Sequence, residues 1–178
     1  MIRRLVFLLM VLALLLSLNL VTANANGLEA NTHNWKRSPQ GTYYIAIPFE
    51  SVSESQPPKD IYTISAGGCK IFTKGIDIYN SLQIKVATYA QEISWCYDGQ
   101  KITSLSHTRW GTVNFPIYQF NGNIGNTESG GKGQALYRAW TQGSFCEIAP
   151  GMGCVWNFYP WVDQYVFSDG SYWGNAGW

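Results

Sequence analysis

A nucleophile needs a base within reach, and this chain offers few: its histidines are His33 and His107. His33 lies in a polar N-terminal stretch, which leaves His107, within Ser104-Leu-Ser-His-Thr-Arg109, as the one imidazole that a serine triad could use. No Gly-x-Ser-x-Gly elbow accompanies it. A histidine held by its strand neighbours is the commoner case, so His107 is read as structural. Glycoside hydrolysis would need two carboxylates facing each other across a cleft. Asp98 and Asp169 each precede a glycine and read as turn residues, whereas Glu54 and Glu128 fall in polar stretches read as loops. Glu92 and Glu147 fall on predicted strands, and nothing in the sequence brings a second acid to either. A small hydrolase using His107 or Glu92 is therefore the alternative reading, and no catalytic residue is assigned. Gly125-Asn-Thr-Glu-Ser-Gly-Gly-Lys-Gly133 glances toward a phosphate loop but fails, because Gly131 stands where lysine is required and Gly133 where Ser or Thr would hold magnesium. It is read as a mobile surface loop. No cofactor is expected.

The cysteines are Cys69, Cys96, Cys146 and Cys154. Cys146 and Cys154 flank a turn-rich segment that can bring its ends together, which predicts a Cys146–Cys154 bridge and leaves Cys69 with Cys96. A zinc site is disfavoured, since no C-x-x-C spacing occurs, so no metal is expected.

Aromatic side chains are the surplus chemistry. All 8 tryptophans and 11 tyrosines follow residue 25. Most must fill a core, because aromatics dominate burial in a small domain. Along 135–142, strand alternation puts Ala135, Tyr137, Ala139 and Thr141 on one face and Leu136, Arg138, Trp140 and Gln142 on the other. If the first set faces the core, Arg138, Trp140 and Gln142 form a partly exposed strip. In the same way Val162 and Val166 suit a core and turn Trp161, Asp163 and Tyr165 outward. Flat rings flanked by Arg, Gln or Asp suit stacking on sugars or anchoring a protein partner. The expected ligand-binding residues are thus Arg138, Trp140, Gln142, Trp161 and Tyr165.

The elements that must position these residues read as strands. Thr42 to Phe49 is the first, and Ser51 to Lys59, with Pro57-Pro58, is a loop. Asp98-Gly99 predicts a two-residue hairpin that pairs Trp95 with Ile102 and Cys96 with Lys101, so that Ile93, Trp95, Tyr97 and Ile102 share a face. Asp169-Gly170 predicts another that pairs Phe167 with Tyr172 and Val166 with Trp173. No sustained 3.6-residue period follows the N-terminal segment. Short strands, frequent turns and no helical crossover predict an all-β antiparallel sandwich, with a barrel as the alternative.

Residues 1–25 have the order of a signal peptide: Arg3-Arg4, an apolar run from Leu5 to Leu16, then Ala23-Asn24-Ala25. That order predicts an exported chain with residues 26–41 as a loose arm and 42–178 as one domain. The formal charge of +1 includes both leader arginines, and the remaining basic residues are scattered. Nucleic-acid binding lacks its phosphate-neutralising cluster, and no membrane association is expected once the leader is removed. The segments Ser94-Trp-Cys-Tyr-Asp-Gly99, Tyr137-Arg-Ala-Trp-Thr-Gln-Gly-Ser-Phe-Cys146 and Tyr159-Pro-Trp-Val162 resemble small exported four-cysteine proteins of Gram-positive bacteria. The resemblance covers the C-terminal half and implies a β-rich fold with paired cysteines, without an activity. The expected function is a secreted, non-catalytic binding or structural module whose partner is a carbohydrate, a cell-envelope polymer or an extracellular protein. A secreted inhibitor belongs to the same class.

Overall fold

The structure, a computed structural model, describes residues 35–55 and 67–178. The expected leader, His33 and most of the expected arm lie outside the described residues. Ten strands run through the rest: β1 (Lys36–Arg37), β2 (Tyr43–Ser55), β3 (Gly68–Asn80), β4 (Lys85–Tyr97), β5 (Ile102–Val113), β6 (Tyr118–Gly130), β7 (Leu136–Ala149), β8 (Gly153–Phe158), β9 (Trp161–Phe167) and β10 (Tyr172–Gly177). One antiparallel sheet has the order β1-β2-β3-β4-β5, and the other has β10-β9-β7-β6 with β8 also on β7. This is the expected sandwich, and the sheets do not close into a barrel. Among the described residues there is no helix long and apolar enough to cross a membrane. Both expected disulfides are present: Cys69–Cys96 staples β3 to β4, and Cys146–Cys154 staples β7 to β8.

Alternation along the strands builds the core. Ile93, Trp95 and Ile102 are buried on the inner face, as expected, with Phe72, Tyr137, Ala139 and Val166. A larger cluster gathers Tyr44, Ile76, Ile78, Tyr89, Tyr118, Phe145, Phe158 and Val162. Between the two runs a polar belt. Gln91 is fully buried on β4; its Nε2 donates to the Ala139 carbonyl (2.9 Å), and its Oε1 accepts from Thr141 Oγ1 (3.0 Å). Gln164, also fully buried, donates to the Phe72 carbonyl (2.9 Å). These bonds cross from sheet to sheet and fix how one slides over the other.

Several expectations on local structure are corrected. Lys36–Arg37, placed in the loose arm, pairs with Tyr43–Tyr44 across a tight turn, and β2 continues through Ser55 into the expected loop. Trp95 lies opposite Leu105, and Tyr97 opposite Ile102, with a register shift between Cys96 and Tyr97. The turn there spans residues 98–101, because Asp98 Oδ1 accepts from the Gln100 and Lys101 amides (2.9 and 2.8 Å) and draws them into the loop. At the second hairpin Val166 pairs with Tyr172 and Tyr165 with Trp173, one residue off the expected register. Phe167 N–H donates to the Ser171 carbonyl (3.0 Å), which closes a three-residue loop with Gly170 at φ +82°. That is the type I turn with a glycine bulge, rather than the two-residue turn. Ala135 is exposed in the turn before β7 instead of sharing the core face. The segment read as a mobile loop from Gly125 is, to Gly130, paired strand β6.

Candidate functional site

Two groupings of side chains hold the chemistry that the sequence singled out, and they lie on opposite faces of the second sheet.

The first is at the inner edge, where β5 approaches β6. Tyr137 Oη donates to Glu128 Oε2 (2.8 Å) and lies 3.1 Å from His107 Nδ1. Glu128 Oε1 is 3.3 Å from His107 Nδ1 and 3.8 Å from Arg109 Nη1, and it accepts from Asn126 (3.3 Å). With the phenol proton given to Glu128, Nδ1 must carry the imidazole hydrogen, and Nε2 is left as a bare lone pair. That Nε2 is buried without a hydrogen-bond partner, as is Arg109 Nη1. Burial pushes the His107 pKa down; the neighbouring Arg109 adds to this, and together they outweigh the pull of Glu128 upward. The Glu128 carboxyl is held below its ordinary range, first by the Tyr137 hydrogen bond. Burial, then Glu128, pushes the Tyr137 phenol up. Near neutral pH the cluster is a neutral His107 beside an ionised Glu128.

The sequence missed this pairing, because Glu128 sits in a Gly- and Asn-rich run that reads as loop. Strand alternation beyond Thr127 is the signal that could have placed it. Glu92, the other candidate of the hydrolase reading, is not part of this cluster. Glu92 pairs across from Thr108 on the outer face of the first sheet and accepts from Thr73 Oγ1 (3.1 Å). Through His107, Arg109, Glu128 and Tyr137 these contacts tie β5 to β6 and β7.

The second grouping is the outer face of β10, β9, β7 and β6. Register places three rows across it: Arg138, Tyr165 and Trp173; Trp140, Asp163 and Asn175; Gln142, Trp161 and Gly177. Arg138 forms a two-pronged ion pair with Asp163 (Nε–Oδ1 3.0 Å, Nη2–Oδ2 2.8 Å). Its guanidinium also lies 5.1 Å from the Tyr165 ring centroid. Trp173 meets Tyr165 edge-on, with centroids 5.1 Å apart, and is 54% exposed. Arg138 and Tyr165 are therefore engaged with each other and with Asp163, and together they brace Trp173.

The other two indoles rest on glycines. A Cβ on Gly125 would stand 2.7 Å from the Trp140 ring, and one on Gly177 would stand 2.7 Å from the Trp161 ring. Each ring thus lies across a neighbouring strand where the missing side chain leaves a seat: Trp140 over β6 and Trp161 over β10. A ring laid on the sheet in this way turns its other side away from the core. Gln142 Nε2 donates to the Tyr159 carbonyl (3.3 Å) at the rim.

All five expected ligand-binding residues stand on this one face, and Trp173 joins them. The expected pairing of Trp173 with Val166 would set it on the inward face of Val166; the observed pairing with Tyr165 sets it on the outer face, because a one-residue register slip moves every side chain to the other face. On the outer face of the first sheet Ser53, Ile71, Ser94 and Ser106 form one row, Ser51, Thr73, Glu92 and Thr108 another, and Phe49, Gly75, Ala90 and Trp110 a third. Among the described residues no group of three metal-ligating side chains occurs. No family model, curated protein or solved structure matches this chain.

Proposed function

We propose that this chain is an exported, non-catalytic binding module, and that the outer face of β10, β9, β7 and β6 takes a carbohydrate or cell-envelope polymer. The observation that carries the reading is the glycine-seated pair Trp140 and Trp161 beside the exposed Trp173. Apolar rings gain by burial, at about 25 cal/mol per Å². Three indoles held on one sheet face by an ion pair and by glycine seats are consistent with a ligand that covers them. The only charges on the central rows, Arg138 and Asp163, neutralise each other, which suits an uncharged, hydroxyl-rich ligand. Export is supported by the signal-peptide order of residues 1–25 and by two disulfides, which persist in oxidising surroundings.

Titration of the disulfide-bonded protein with soluble glycans, followed by tryptophan emission, tests the reading. A saturable change in emission is expected, weakened at least tenfold by Trp140→Ala or Trp161→Ala. Saturable binding that neither substitution alters would refute the assignment of this face.

A further inference from the structure

We infer that the ligand is a linear, uncharged glycan lying lengthwise along β10, gripped at two separate points by Trp173 and Trp161; this rests on the reading of the face just given. Trp173 belongs to β10, and Trp161 reaches β10 by lying over Gly177. Both rings therefore lie along the same edge strand. Positions 173 and 177 are four steps apart along the strand, roughly 14 Å at about 3.4 Å per residue. Between them, on the same face, is Asn175, which is exposed and whose Oδ1 accepts from the Ala176 amide (2.9 Å). With Oδ1 committed to the backbone, the side-chain amide is left to present its N–H donors between the two rings. The track is thus apolar, polar, apolar along one line.

A sugar ring has a C–H face that stacks on an indole and hydroxyls that need donors and acceptors. An extended chain of such rings offers the two kinds of surface in succession. A ligand lying across the strands would meet another surface. In the row of Trp173 it would next reach Tyr165, whose ring is taken up by Arg138 and by the edge contact to Trp173. In the row of Asn175 it would meet the closed Arg138–Asp163 pair. The lengthwise path avoids both.

The test is a chain-length series. Cello-, laminari- and chito-oligosaccharides, from the disaccharide upward, are titrated by calorimetry into the disulfide-bonded protein, with the Tm of each variant recorded to show that it is folded. In at least one series affinity should rise tenfold or more between chains that cover one indole and chains that span both. Trp161→Ala or Trp173→Ala should each bring the long chains down to the affinity of the short ones. Trp140 lies over β6, off the β10 track, so Trp140→Ala should leave the step between short and long chains in place. Long-chain binding that survives both Trp161→Ala and Trp173→Ala but falls with Trp140→Ala would overturn the lengthwise track and leave the reading of the face intact. No binding of any glycan by the unmodified protein would remove both.

Discussion

The polar belt between the two apolar clusters makes a sharp prediction. Thr141→Val keeps the side-chain shape and removes the hydroxyl that donates to Gln91 Oε1 at 3.0 Å. Both residues are fully buried, so water cannot replace the lost donor. An orphaned buried acceptor costs about 1–3 kcal/mol, more than the net worth of the bond itself. For a domain of this size each kcal/mol lowers Tm by roughly 3–4 °C, so Thr141→Val should cost about 3–12 °C. Gln91→Leu should cost a similar amount, since it strands the Thr141 hydroxyl and removes the donor to the Ala139 carbonyl. The double variant removes both polar ends of the side-chain bond together and should be less destabilised than the two single costs combined, by about 1–2 kcal/mol. Urea unfolding of the four proteins, followed by tryptophan emission, measures this cycle. Single costs below about 0.5 kcal/mol, or strict additivity in the double variant, would refute the claim that this bond holds the sheets in register.

Further outcomes follow from the same structure. The His107 pKa lies below its usual value when folded, so between about pH 6.5 and that depressed value only the unfolded chain binds the proton. Stability should therefore fall as pH drops through this window, and His107→Leu should flatten the Tm profile there. The depressed Glu128 contributes stability that is complete above its unfolded value and is lost at still lower pH, so acid destabilisation should come in two stages. Replacing Cys69 and Cys96 together by alanine should cost about 3–4 kcal/mol from loop entropy, against about 2–3 kcal/mol for Cys146 and Cys154, because the sequence separations are 27 and 8. Equal losses on urea unfolding would contradict that ordering. Gly170→Ala places a Cβ against the Tyr97 ring at φ +82°, and at least about 1–2 kcal/mol should be lost from the backbone strain alone; a neutral Tm would count against the three-residue loop.

The two-residue period along 136–142 and 161–167 settled which side chains turn outward on β7 and β9, because Ala139 and Thr141 on β7 and Val162 and Val166 on β9 mark the inner face. The cysteine pairing was equally legible, since a separation of 8 through a segment rich in turn formers leaves Cys146 little choice of partner. Turn chemistry was legible only in part. Asp-Gly marks a reversal, but the loop length depends on what the aspartate and the flanking amides bond to. At Asp169-Gly170 that difference of one residue sets Trp173 opposite Tyr165 instead of Val166, and so on the outer face. Strand β6 was hidden for another reason. Its glycines lower strand propensity, yet Gly125 is where Trp140 lies, so the residue that weakens the local signal is the one that the packing requires.

By itself the amino-acid sequence determined strand content and the direction in which each strong strand faces. These depend on neighbours a few residues apart, and local periodicity carries them. The tertiary structure alone decided that Glu128 would meet His107 and Tyr137, that the inter-sheet belt would run through Gln91 and Thr141, and that the Trp161 ring would lie over the edge strand that carries Trp173. Each of those contacts joins segments from different strands, and the register that brings them together is set by bulges, glycine seats and sheet-to-sheet hydrogen bonds, which have no signature within a short window of the chain.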